Sequence, residues 1–256
     1  MEEIIRFENI KKSYGEKTII EDFNLSIDKG EFLTIIGSSG CGKTTILKMI
    51  NGLIKPEEGN IYIKNKNIEE EDIINLRRNI GYSIQGSILF PHMTVEENIA
   101  YVPNLLNKKD RDKTKKAVKK WMDIVGLEED MLHRYPDELS GGQQQRVGIA
   151  RALAASPDIL LMDEPFGAID EITRRQLQEE IANIHSKTGI TIVFVTHDIS
   201  EAIKLGTKIL VMNNGKIEQY SEPKEIVNNP STDFVKELIS KERNFYNIND
   251  KETSKL

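Results

Sequence analysis

Cysteine is almost missing from this chain: Cys41 stands alone among 256 residues. A single cysteine excludes an intrachain disulfide and fits a reducing compartment. Long apolar stretches are missing too. The uninterrupted runs are a few residues each, whereas a helix crossing a bilayer needs about 20. The N-terminus, Met1-Glu2-Glu3, lacks the cationic region of a signal peptide, so none is expected. Nor is positive charge in excess. The 35 Lys and Arg against 41 Asp and Glu leave a formal net charge of −6, which argues against a general nucleic-acid binder. The length suffices for a full core, expected as one domain of two lobes.

What is present is chemically pointed. Gly37-Ser38-Ser39-Gly40-Cys41-Gly42-Lys43-Thr44 has the G-x-x-x-x-G-K-[ST] spacing of a phosphate-cradling loop, continued by Thr45. Residues 32–36 before it read as a buried strand. Residues 45–51 after it read as a helix, with Ile46, Leu47 and Ile50 on one face and Gly52 as the stop. Glycines let successive N–H groups turn inward onto phosphates, and the helix start adds the positive end of its dipole. Lys43 then reaches the terminal phosphates and the Thr44 hydroxyl ligates Mg²⁺. Cys41 reads as filler in this loop, although its oxidation would crowd bound nucleotide.

A second helix start lies at Ser140-Gly141-Gly142-Gln143. Ser140 suits an N-cap and Gln143 completes a capping box. Gly141 and Gly142 leave the first-turn donors bare, as an anion site requires. Residues 159–162 and 191–195 are apolar runs of the kind found in central strands. Asp163 and Glu164 follow the first, and His197 the second. Ligands of parallel α/β sheets bind beyond the carboxyl ends of the strands, so one rim is expected to gather Lys43, Asp163, Glu164 and His197. Hydrolysis of a nucleoside triphosphate needs a held metal, which suits Asp163. It also needs an oriented water, which suits Glu164 as base, and charge stabilisation on the γ-phosphate, which suits His197.

The stretch LSGGQQQR at 139–146, beside the phosphate loop and the Asp-Glu pair, resembles the signature sequence of ATP-binding-cassette (ABC) ATPases. The resemblance implies an α/β P-loop NTPase fold: a RecA-like core, an antiparallel β subdomain and a helical signature subdomain. It implies ATP and Mg²⁺ as ligands. It also makes Gln85 in Gly81-Tyr82-Ser83-Ile84-Gln85 a Q-loop glutamine touching Mg²⁺, Tyr14 before Gly15 an adenine-stacking aromatic, and Asp170 the D-loop aspartate. Ile169 stands where the family more often has Leu. The expected ABC domain spans residues 3–240, with its helical part at about 86–155 and a polar tail at 241–256. In this family two cassettes face head to tail, each signature helix capping the ATP held by the other.

The same likeness implies a homodimer of cassettes, polytopic permease subunits, an indirectly associated substrate-binding protein, no nucleic acid, and a peripheral place on the cytoplasmic face of the membrane. Residues 76–82 (LRRNIGY), 89–99 (LFPHMTVEENI), 101–106 (YVPNLL) and 191–206 (TIVFVTHDISEAIKLG) look most like the ATPases of glycine betaine, carnitine and choline importers. Gly86-Ser87-Ile88 departs from that pattern. Many such ATPases carry C-terminal CBS domains, and with Leu256 as the last residue no sensing through them is expected. Importers of amino acids or oxyanions, a soluble ABC ATPase and an exporter cassette remain open at this point. The eight Lys and Arg at 108–120 read as a solvated helix face, or as attraction to an anionic membrane surface. Glu69-Glu70-Glu71-Asp72 reads as the acidic first turn of a short helix.

Overall fold

The structure, a computed structural model, describes residues 2–84, 89–107, 110–167 and 170–240. It begins with β1 (Glu3–Tyr14), β2 (Lys17–Asp28), β3 (Phe32–Gly37), α1 (Lys43–Ile50), β4 (Glu58–Ile63) and β5 (Lys66–Asn67). Then come α2 (Ile73–Arg78), β6 (Ile80–Ser83), α3 (Val95–Asn107), α4 (Arg111–Ile124), α5 (Gly141–Leu153), β7 (Ile159–Asp163) and α6 (Glu171–Thr188). They are followed by β8 (Thr191–Val195), α7 (Ile199–Leu205), β9 (Lys208–Asn213), β10 (Lys216–Ser221), α8 (Pro223–Asn228) and α9 (Asp233–Leu238). The described residues fall into two compact units, one within Met1–Glu69 and Val193–Leu256, the other within Glu70–Ile192.

In the first unit, β2, β1, β4 and β5 form an antiparallel sheet in that order. Along β2, buried Phe23, Leu25 and Ile27 alternate with exposed Asn24 and Ser26, the period of a strand with one wet face. Phe23 meets Phe7 of β1 edge-on at 5.4 Å, the orientation ring quadrupoles favour. β3 is different: residues 32–36 are all buried, as a strand covered on both faces must be. β9 runs parallel to it, with Ile35 opposite Leu210, and β10 returns antiparallel to β9. Helices α7, α8 and α9 bury Ala202, Ile226 and Val235 in one cluster with Ile36 and Val211.

Glu31 is a buried carboxylate in this unit. The Tyr220 hydroxyl donates to its Oε1 at 2.7 Å. Burial pushes the Glu31 carboxyl above its usual range, against the lowering effect of that hydrogen bond. The folded state therefore holds the proton more tightly than the unfolded chain does. This contribution to stability is complete below the unfolded value near 4.5 and is lost as pH rises through the higher folded value. Glu31→Gln is expected to remove that loss. Melting temperatures measured from pH 4.5 upward should show the variant gaining on the wild type, and parallel curves would contradict it.

In the second unit, β6 and β7 pair in parallel, with Tyr82 opposite Leu161. Helices α3, α4 and α5 occupy the stretch expected to be helical. Thr114, Val118, Trp121 and Met122 bury one side of α4, while Lys113, Lys115, Lys116, Lys119 and Lys120 are exposed. That is a solvated basic face. The acidic run differs from expectation. α2 begins only at Ile73, so Glu69, Glu70 and Glu71 precede it and Asp72 is its N-cap, accepting the Ile74 N–H at 3.0 Å.

Candidate functional site

The phosphate loop leaves β3 and enters α1 in the first unit. Gly37 has φ 146°, and a Cβ there would lie 1.9 Å from the Met212 carbonyl oxygen of β9. The neighbouring strand passes too close for any side chain. Gly42 is the N-cap of α1 with φ 106°, and as a glycine it offers no side chain to cap this helix start. The helix begins at Lys43, two residues before the sequence suggests, because the glycine takes a left-handed conformation that a larger residue resists. Lys43 is nearly buried, and its ammonium donates to the Gly37 carbonyl at 2.9 Å and the Ser38 carbonyl at 3.0 Å. The ammonium thus lies folded over the loop. Cys41 is buried with its Sγ 3.9 Å from the Lys43 Nζ. Ser39 and Gly40 form the exposed tip, and Thr44 and Thr45 are half-buried in the first turn.

Two other expected residues share this unit. Tyr14 ends β1 and is half exposed, with the Lys12 ammonium 5.5 Å from its ring centroid. His197 follows β8 and is exposed, while Thr196 just before it donates its N–H to the Ile35 carbonyl of β3 at 3.2 Å. The histidine is therefore tied to the strand that runs into the phosphate loop.

The second unit holds the carboxylates and the signature. Asp163 is the buried last residue of β7. Glu164 has φ 44°, a left-handed conformation that a non-glycine residue keeps at a cost of about 1–3 kcal/mol and that clusters at functional sites. The Gly167 N–H donates to its carbonyl and closes the turn. Tyr82 went unnoticed in the sequence. In the parallel β6–β7 register it pairs with Leu161, so its side chain shares a face with Asp163. Its hydroxyl is buried with no hydrogen-bond partner among the described residues. Burial, and next the Asp163 carboxylate, push the Tyr82 phenol up to about 12.

Ser140 caps α5 as expected. Its N–H donates to Gln143 Oε1 at 2.8 Å, and its Oγ accepts the Gln143 N–H at 3.3 Å. Gly141 faces open space, whereas a Cβ on Gly142 would lie 2.5 Å from Thr173 Cγ2 of α6. The two signature glycines therefore answer different demands, one exposed and one set by packing. Asp170 is the N-cap of α6, accepting the Thr173 N–H at 3.0 Å, and that bond holds its carboxyl below the usual range. Thr173 thus brings the signature turn and Asp170 together. Gln85 lies outside the described residues.

Each unit offers an oxygen donor of the kind Mg²⁺ takes, Thr44 in the first and Asp163 in the second. Among the described residues no three His, Cys, Asp or Glu side chains gather into a cage. Mg²⁺ does not call for one, since it binds through one or two carboxylates plus phosphate oxygens and keeps several waters. A hard, buried carboxylate at Asp163 and a hydroxyl at Thr44 are suitable oxygen donors.

The ABC transporter family model matches residues 20–167. The chain is 53% identical over 241 residues to a carnitine transport ATP-binding protein of Listeria monocytogenes (strain 10403S), covering 94% of this chain and 60% of that protein. It is 51% identical to the glycine betaine/carnitine/choline transport ATP-binding protein of Bacillus subtilis (strain 168), covering 94% of this chain and 63% of that one. The chain therefore spans about six-tenths of the length of these relatives. Among solved structures, the dimeric post-hydrolysis ATP-binding cassette MJ0796, bound to ADP and Pi, superposes with a TM-score of 0.76 at 35% identity, covering 86% of this chain and 99% of that one.

Proposed function

The chain belongs to the ABC transporter family, and from that premise we propose that it is the ATP-hydrolysing subunit of an importer for a quaternary amine osmoprotectant: glycine betaine, carnitine or choline. The observation that carries the ATPase reading is the phosphate loop, a helix start whose N-cap is a left-handed glycine and a nearly buried lysine folded over it. On this reading Gly37 to Thr45 wrap the phosphates of ATP and Lys43 moves from the loop carbonyls onto the terminal ones. Tyr14 stacks on adenine. Thr44, Asp163 and Gln85 would hold Mg²⁺, which when bound neutralises phosphate charge. Glu164 takes the proton of the attacking water, and His197 donates a hydrogen bond to the γ-phosphate. Ser140 to Gln143 and Asp170 face the ATP of a second cassette.

The ABC domain is assigned to residues 3–240, with a helical part at about 86–155 and a polar tail at 241–256. The partners are a second copy of the chain, polytopic permease subunits and, through them, a substrate-binding protein; nucleic acid is not among them. The place is the cytoplasmic face of the membrane. The cargo rests on what the relatives transport, together with the resemblance of the stretches around Gln85 and at 191–206. A quaternary ammonium offers no N–H to donate, so the binding protein should hold it in an aromatic cage.

Deletion of the encoding gene is expected to abolish most ATP-dependent uptake of these compounds in cells under high salt without a redundant importer. Unchanged uptake of all three would remove the osmoprotectant reading, making amino acids and oxyanions the next cargoes to test and leaving the ATPase assignment intact.

A further inference from the structure

His197 lies within a closed ring of hydrogen bonds built by its neighbours. The Thr196 hydroxyl accepts the Asp198 N–H at 3.0 Å. Asp198 Oδ1 accepts the Glu201 N–H at 3.2 Å and so caps α7. Glu201 Oε2 in turn accepts the Thr196 hydroxyl at 2.6 Å, closing the ring. Thr196 and Glu201 are both buried, and His197 between the ring members is exposed. A buried carboxylate is costly unless it is hydrogen-bonded. This one uses an oxygen to fix the hydroxyl immediately before the histidine.

The ring is also anchored. The Thr196 N–H reaches the Ile35 carbonyl at 3.2 Å, and the buried Thr34 hydroxyl donates to the Ala202 carbonyl of α7 at 3.3 Å. Both anchors stand on β3, whose last residue is Gly37 of the phosphate loop. The backbone on both sides of the imidazole is defined relative to the strand that carries the phosphate loop. A hydrogen bond to a γ-phosphate depends on sub-ångström placement of its donor, and the ring supplies a means of placing it.

We infer that Thr196 and Glu201 are positioning residues, acting through His197 to set its imidazole against the γ-phosphate; this rests on the role proposed above for His197. They touch no nucleotide themselves. Loss of the Thr196–Glu201 bond should therefore slow turnover and leave ATP binding nearly intact.

The test is a double-mutant cycle in the full chain, read as kcat and KM for Mg²⁺-ATP, with thermal melts as a control. His197→Ala is expected to lower kcat by about 10²-fold or more, the scale of a lost proton-handling or transition-state contact. Thr196→Val should lower kcat by roughly tenfold while KM stays within about twofold, since only transition-state contacts are lost. Thr196→Ser, which keeps the hydroxyl, should restore at least about half of turnover by the same reasoning. In the His197→Ala background, Thr196→Val should cost no more than about a further twofold, because residues acting through one another are not additive.

Multiplied effects in the double variant would overturn the inference. So would unchanged kcat in Thr196→Val beside a crippled His197→Ala. Unchanged kcat in His197→Ala would instead overturn the reading of His197, and this inference with it. If Thr196→Val loses its cooperative melt, Glu201→Met replaces it in the cycle. Glu201→Gln, whose amide oxygen still accepts the Thr196 hydroxyl, then provides the rescue.

Discussion

Lys43→Ala is expected to lower ATP affinity by one to two orders of magnitude while the chain still folds. The ammonium is nearly buried, and among the described residues it is bonded to the loop carbonyls of Gly37 and Ser38 and lies 3.9 Å from the Cys41 sulfur. A phosphate oxygen is a better acceptor than either carbonyl, because both partners are then charged. Hydrogen bonds to charged groups contribute about 1.5–3 kcal/mol, which corresponds to roughly a 10- to 150-fold loss. ATP should lose more than ADP if, as proposed, the side chain reaches the terminal phosphates. The variant also forfeits the two bonds that brace the loop, so a small drop in melting temperature is expected beside a native circular-dichroism spectrum. Calorimetry with Mg²⁺-ATP reads the effect. Near-unchanged affinity in a natively folded variant would remove this loop from the nucleotide site.

The parts of the fold legible in the sequence are those set by near neighbours. The buried strands at 32–36 and 191–195 are apolar runs that read directly. The Ser140–Gln143 capping box is an i, i+3 relation, and the structure forms both of its bonds. Elements set by distant neighbours were not legible. Gly37 is demanded by the carbonyl of Met212, and Gly142 by a methyl of Thr173, contacts that no local pattern announces. Tyr82 shares a face with Asp163 only through the β6–β7 register. Thr196 and Glu201 lie five residues apart and were still missed. A threonine and a glutamate at a helix start look like ordinary polar surface until both are found buried. The left-handed backbone of Glu164 was invisible for a related reason. Glutamate has no preference for that conformation, so it is imposed by the turn that the Gly167 N–H closes.

Glu164→Gln is expected to bind ATP, to hydrolyse it at least about 10²-fold more slowly, and to accumulate as an ATP-dependent dimer. Glutamine matches glutamate in size and carries no greater penalty at the left-handed φ of 44°, so the turn after β7 should persist. On the role proposed for Glu164 what is lost is the base, and ATP should then remain where the second chain's signature helix is proposed to cap it. Ser140→Arg in the same background is expected to abolish that dimer. Ser140 is exposed and Gly141 beside it faces open space, so the arginine has room in a single chain. It does replace the hydroxyl that caps α5, at a cost of about 0.5–2 kcal/mol of helix stability, which a thermal melt monitors. A folded double variant that no longer dimerises therefore locates the obstruction in the space where the partner's γ-phosphate must lie. Size-exclusion chromatography with and without Mg²⁺-ATP reads both variants. A Glu164→Gln chain that binds ATP yet stays monomeric at high concentration would contradict the head-to-tail site. So would a double variant that still dimerises, since a signature helix that tolerates an arginine at its cap is not closing on a phosphate.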